Sequence, residues 1–115
     1  MKKLRFAVLG AGAGGQTMAA FLTEKGYPVR LYDHNPTRIQ QLQTLKTIRA
    51  TGKWTCQGTP EQITDSLPQA LDGADIILVV TTTDAHSTIA RQCAPYLRDG
   101  QIILLNPGHV GGALE

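Results

Sequence analysis

The chain has 115 residues, a formal charge of +2 and two cysteines, which bounds it to one domain able to bury a core and is short for a complete two-domain enzyme. So small a charge, with Lys2, Lys3 and Arg5 forming only a brief basic entry to the first strand, excludes a nucleic-acid footprint; no apolar run approaches the ~18 residues of a membrane span, and no signal-peptide pattern follows the first charges. Cys56 and Cys93 have no ligand-forming neighbours at useful spacing, so no metal is expected and both read as free thiols of a reducing, cytoplasmic compartment.

Leu4 to Leu9 reads as a first strand that stops at Gly10-Ala11-Gly12-Ala13-Gly14-Gly15-Gln16. Gly10 allows a tight turn, Gly12 lets backbone approach a pyrophosphate, and Gly15 lets the following helix lie close to the strand. The amides of Ala13, Gly14 and Gln16 are expected to face the phosphates at the helix N-terminus, where the dipole favours an anion. Met18, Phe21 and Leu22 mark the apolar stripe of this helix, and Gly26 ends it. A second strand, Tyr27 to Asp33, finishes on a carboxylate 18 residues after Gly15, the place of the acid that holds an adenosine ribose. A carboxylate there repels a 2′-phosphate, so NAD is expected as cofactor and NADP less so. His34 and Arg38 follow it and are candidates to flank the adenine, and a nearby arginine leaves some NADP tolerance. Asn35-Pro36 reads as an N-cap with proline at the first helical position, before Ile39, Leu42 and Leu45 on a buried side.

Between Thr47 and Thr64 the pattern weakens into a small hairpin feeding a short edge strand. Ser66 to Leu71 is a helical turn or two capped by Ser66 or Asp65, and Ile76 to Val80 is an apolar run suited to a central parallel strand covered on both faces. Thr81, Thr82 and Thr83 leave the carboxyl end of that strand, the edge where open α/β sheets bind ligands, and are candidate contacts to pyrophosphate or ribose. A third helix carries Ile89, Cys93, Tyr96 and Leu97, with Pro95 bending it or ending it early. Gln101 to Leu105 reads as a further buried strand. Asn106, Pro107 and Gly108 emerge on the ligand edge, with the Asn106 amide a candidate partner for ribose or carboxamide. His86 reads as structural or solvent-facing, and His109, with no identifiable carboxylate partner nearby in sequence, is not read as a catalytic acid/base. Alternating strands and helices with short links predict a single α/β domain, a Rossmann-type doubly wound parallel sheet in the order 3-2-1-4-5.

Three stretches together carry a resemblance: Leu9 to Gln16; Ala74-Asp75-Ile76-Ile77-Leu78-Val79-Val80 continuing through Ala85-His86 to Ile89; and Asn106-Pro107-Gly108-His109-Val110-Gly111-Gly112-Ala113. The chain resembles the N-terminal cofactor domain of the octopine/nopaline (opine) dehydrogenases over its whole length, and more loosely that of ketopantoate reductase and glycerol-3-phosphate dehydrogenase. The resemblance implies hydride transfer from a nicotinamide in the reductive condensation of an amino acid with a 2-oxo acid. It also implies a second, mostly helical substrate domain bearing a His-Asp proton-transfer pair, which this sequence lacks. No catalytic residue is therefore assigned here, and the chain is expected to bind dinucleotide without turning over substrate, and, with that domain removed, to self-associate through apolar surface around the terminal helix start, as a homodimer or larger species. The competing reading is a regulatory nucleotide-sensing module without enzymatic activity; a degenerate domain kept for oligomerisation is a third.

Overall fold

A computed structural model describes residues 4–50, 56–80, 88–89 and 91–105. Its elements are β1 (Phe6–Leu9), α1 (Ala13–Glu24), β2 (Val29–Tyr32), α2 (Pro36–Leu45), β3 (Ile48–Ala50), β4 (Cys56–Gly58), β5 (Gln62–Thr64), α3 (Leu67–Leu71), β6 (Ile76–Val79) and β7 (Ile102–Leu105). Five strands form one parallel sheet in the order β5-β2-β1-β6-β7, the doubly wound order expected, with β5 as its third strand. The weakly patterned stretch resolves as anticipated into the antiparallel hairpin β3–β4, pairing Ile48 with Gly58, followed by the edge strand β5. Trp54 and the rest of 51–55 lie outside the described residues, as does the Cys56 side chain.

Right-handed crossovers assign each helix to a face. Connections that step from β1 outward to β5 place α1, α2 and the hairpin on one face, where Val8, Ala19, Leu22, Leu31, Ile39 and Ile48 form a core. Connections that step from β5 back to β6 and on to β7 place α3 and the helical residues 88–89 and 91–93 on the other, around Leu9, Tyr32, Leu71, Ile77, Val79 and Cys93. Among the described residues, no crossover therefore lies on the first face above β6 and β7. That corrects the expectation of strands covered on both sides: Ile76 and Leu78 are only half-buried, and Ile102 and Leu104 of β7 are 55% and 50% exposed.

Helix stripes need similar correction. On α1, Ala19, Ala20 and Leu22 face the sheet, while Phe21 is exposed beneath the Lys25 ammonium, 5.5 Å from its ring centre. Small residues do the burying because α1 lies close to the strands. Leu45, at the end of α2, projects outward, 68% exposed, because spacing by three residues drifts round a helix of about 3.6 residues per turn and carries it off the stripe of Ile39 and Leu42. Tyr96 is likewise exposed, since Pro95 converts the helix into a 3-10 turn at Ala94–Tyr96 that rotates it off the buried stripe. Leu4, read as part of β1, lies outside it and is exposed.

At the amino ends of the strands, Glu61 bridges Arg5 and Arg30, each guanidinium 3.1 Å from one carboxylate oxygen. Arg30 also donates to the Gln69 and Asp72 carbonyls, at 2.6 and 2.9 Å, where α3 ends, satisfying carbonyls a helix leaves unpaired and placing a cation at its negative pole.

Candidate functional site

The glycine turn sits at the carboxyl end of β1. Gly10 has φ 115°, a left-handed conformation that requires glycine, and its N–H donates to the Tyr32 carbonyl at 2.7 Å, joining the turn to β2. Gly15 is needed for a different reason: a Cβ there would lie 1.6 Å from the Gly10 oxygen. Gly12 needs neither, with φ −75° and, among the described residues, nothing within 4 Å of where its Cβ would be. Backbone freedom and protein packing both permit a larger residue at 12; what the glycine preserves is open space in front of the helix.

That space lies at the start of α1, a 12-residue helix with Gly12 as N-cap, no side-chain capping bond and no acidic residue in its first turn. The amides of Ala13, Gly14 and Gly15 stand outside the helical ladder, which begins with the Gln16 N–H donating to Gly12 at 2.9 Å. Gln16 was expected to offer its amide to phosphate; that amide is committed to the helix. Its side chain instead donates to the Ala11 carbonyl at 2.8 Å. An uncapped, unacidified N-terminus facing a cradle that no described side chain fills suits a doubly charged diphosphate.

Asp33 closes the second side of the site. It is 4% exposed, and its two oxygens accept from the amides of Ala11 and Asn35, each at 3.1 Å. The Arg38 guanidinium stands 3.6 Å from Oδ2. Asn35 is the N-cap of α2 as read from the sequence, its side chain accepting from Thr37 and Arg38 amides at 3.0 and 3.2 Å. His34 and Arg38 are both exposed beside the acid. Below it, burial first and then the charges of Asp33, Cys93 and Asp65 raise the Tyr32 phenol, which stays neutral. Burial also raises the Cys93 thiol, enclosed and therefore inert.

The structure thus brings together Gly10, Gly12, Gly14, Gly15, Gln16, Asp33, His34 and Arg38, with the Ala13 backbone among them. Thr81, Thr82, Thr83, His86, Asn106, Pro107, Gly108 and His109 lie outside the described residues. A concavity of about 460 Å³ between Pro68, Asp72, Tyr96 and Arg98 opens beside the loops entering β6 and β7. Ligands of such sheets sit at the opposite, carboxyl ends. Two residues, one that seats the far end of α1 and one within the turn, escaped sequence reading. Gly58 abuts α1, its would-be Cβ 1.8 Å from Thr23 Oγ1, and Ala11 is the fully buried apex of the turn. Among the described residues, no helix is long and apolar enough to cross a membrane.

Residues 5–107 match the family model of the NAD-dependent glycerol-3-phosphate dehydrogenase N-terminus. The chain is similar to an opine dehydrogenase of Arthrobacter sp. (strain 1C), with 42% identity over 96% of this chain and 31% of the relative. It is similar to a glycerol-3-phosphate dehydrogenase [NAD(P)+] of Lacticaseibacillus casei, with 37% identity over 82% of this chain and 27% of that one. In fold it resembles an octopine dehydrogenase structure described with NADH and L-arginine, with TM-score 0.79 and 22% identity over 91% of this chain and 28% of that chain. The chain spans less than a third of the length of these relatives.

Proposed function

Because the chain belongs to the N-terminal family of NAD-dependent glycerol-3-phosphate dehydrogenases and is an NAD-binding domain of Rossmann type, we propose that its glycine turn, the α1 N-terminus and Asp33 hold the dinucleotide. The pyrophosphate lies over Gly12 against the free amides of the first turn, and the adenosine ribose hydroxyls donate to the Asp33 carboxylate. Thr81, Thr82, Thr83, Asn106, Pro107 and Gly108 complete the crevice in this reading, with His34 and Arg38 at its adenine end. The observation that carries it is Gly12, a glycine demanded neither by its φ nor by any neighbour among the described residues, at the mouth of an uncapped helix.

Of the two activities named among the relatives, the opine-type is supported by the higher identity over nearly the whole chain. The full protein then reduces the condensation product of an amino acid and a 2-oxo acid. The nicotinamide, when bound, supplies the hydride. This chain's residues bind and orient it, and a helical domain beyond this sequence contributes the substrate pocket and the proton-transfer groups. We assign it to the cytoplasm, in keeping with the free, buried Cys93.

Calorimetric titration of the chain with NADH, NADPH, AMP and ATP tests the reading: NADH is expected to bind most tightly. Tighter binding of AMP or ATP would instead mark a nucleotide sensor, and binding of none would remove the site. Asp33→Ser is expected to weaken NADH by about 1–3 kcal/mol through lost charge-assisted hydrogen bonds, and NADPH by less. Equal losses for the two would tell against the ribose contact.

A further inference from the structure

Ala11 is fully enclosed at the apex of the glycine turn, and both of its polar groups are held by side chains from elsewhere. Its N–H donates to Asp33 Oδ1 at 3.1 Å, a buried bond spanning 22 positions, and its carbonyl accepts from Gln16 Nε2 at 2.8 Å. These two bonds fix the peptide planes on either side of Ala11. Fixing them sets where Gly12 leaves the turn, and so where the open amides of α1 point. Asp33 is itself anchored, through its second oxygen, to the Asn35 amide at the start of α2 and to Arg38.

Resting on the nucleotide-site reading above, we infer that Asp33 and Gln16 are positioning residues for the phosphate cradle. Asp33 strengthens binding of the diphosphate it does not touch, in addition to the ribose it does. A turn released from either clamp samples other orientations, and its amides must be re-ordered each time an anion binds; a preorganised turn avoids that cost. The two ends of the adenosine diphosphate moiety are thereby coupled through one carboxylate.

The test separates the two roles of Asp33 by removing the ribose hydroxyls from the ligand. ADP and 2′,3′-dideoxy-ADP are titrated into the wild-type chain, Asp33→Ala, Asp33→Asn and Gln16→Met. Asp33→Ala is expected to weaken even the dideoxy nucleotide, roughly three- to tenfold as for one lost orienting hydrogen bond. Asp33→Asn, which keeps an oxygen for the Ala11 amide, is expected to recover most of that loss without recovering the preference for ADP. Gln16→Met is expected to weaken both nucleotides by the same factor. In the ligand-free chain, hydrogen exchange at the Ala11 amide is expected to accelerate in Asp33→Ala while the Val8 and Leu31 amides stay protected, which distinguishes a released turn from a loosened sheet. Unchanged dideoxy-ADP affinity in Asp33→Ala, with ADP weakened, would overturn the inference and leave the ribose contact standing. A wild-type chain that bound neither nucleotide would overturn the site on which the inference rests.

Discussion

The glycines of the first turn differ in what replacing them does, and the difference is measurable one residue at a time. Gly12→Ala places a methyl clear of the described residues at an ordinary φ, so the melting temperature is expected to change little, alanine's lower unfolded-chain entropy being offset by its poorer fit at an N-cap. NADH affinity is expected to fall about tenfold or more, ~1.4 kcal/mol, because that methyl stands where the diphosphate belongs. Gly15→Ala drives its methyl into a backbone oxygen and is expected to cost roughly 1–3 kcal/mol of stability, read by urea unfolding without any ligand. Loss of NADH binding only together with loss of fold in Gly12→Ala would contradict the open cradle. The glycine spacing and Asp33 were legible in sequence because strand, turn, helix and strand end are local features in fixed order. The bond from Asp33 to Ala11 was not, since nothing in a linear string tells which backbone amide a carboxylate 22 positions away will reach.

Among the elements, α1 is seated at both ends by glycines, Gly15 against Gly10 and Gly58 against Thr23. The Thr23 hydroxyl is held in place by the Ala19 and Ala20 carbonyls at 2.8 and 3.1 Å, so it does not yield easily to a new neighbour. Gly58→Ala is expected to destabilise the chain by roughly 1–3 kcal/mol, with Thr23→Ala recovering part of the loss in a double-mutant cycle. Additive losses would mean that β4 is not pressed on α1 at this point. The Arg5–Glu61–Arg30 cluster gives a pH dependence. Partial burial by itself raises Glu61, but the Arg30 hydrogen bond and the charges of Arg5 and Arg30 outweigh it and hold the carboxyl below its ordinary 4.5. A carboxyl depressed on folding contributes stability fully above its unfolded value, and that contribution is lost as pH falls through the folded one. Glu61→Gln is therefore expected to flatten the acid limb of the stability profile below about pH 4.5 and to leave its shape at higher pH unchanged. The effect is modest, because the carboxylate is partly exposed and screened. The hairpin was anticipated but its seat was not: nothing near Gly58 in the sequence marks it as a packing glycine, and only the approach of α1 shows it to be one.

For the molecule as a whole, β7 presents Ile102 and Leu104, exposed, beside half-buried Ile76 of β6 on a face that no crossover among the described residues covers, while Leu78 packs against the α1-side core. Surface of that kind favours association, and light scattering at rising concentration is expected to detect dimers or larger species that Ile102→Lys diminishes. A wild-type chain that stays monomeric at high concentration would show that this face needs no cover. The sequence by itself determined the order of strands and helices, the place of the glycine turn, the acid at the end of β2 and the cap of α2, because each depends on residues within one or two turns of one another. Only the tertiary structure decided which faces are covered. Periodicity identified Ile102 and Leu104 as apolar strand residues, but their exposure follows from the handedness of connections made far away in the chain. The same holds for Ala11, whose burial and clamping exist only once β2 lies beside β1 and brings a carboxylate to its amide.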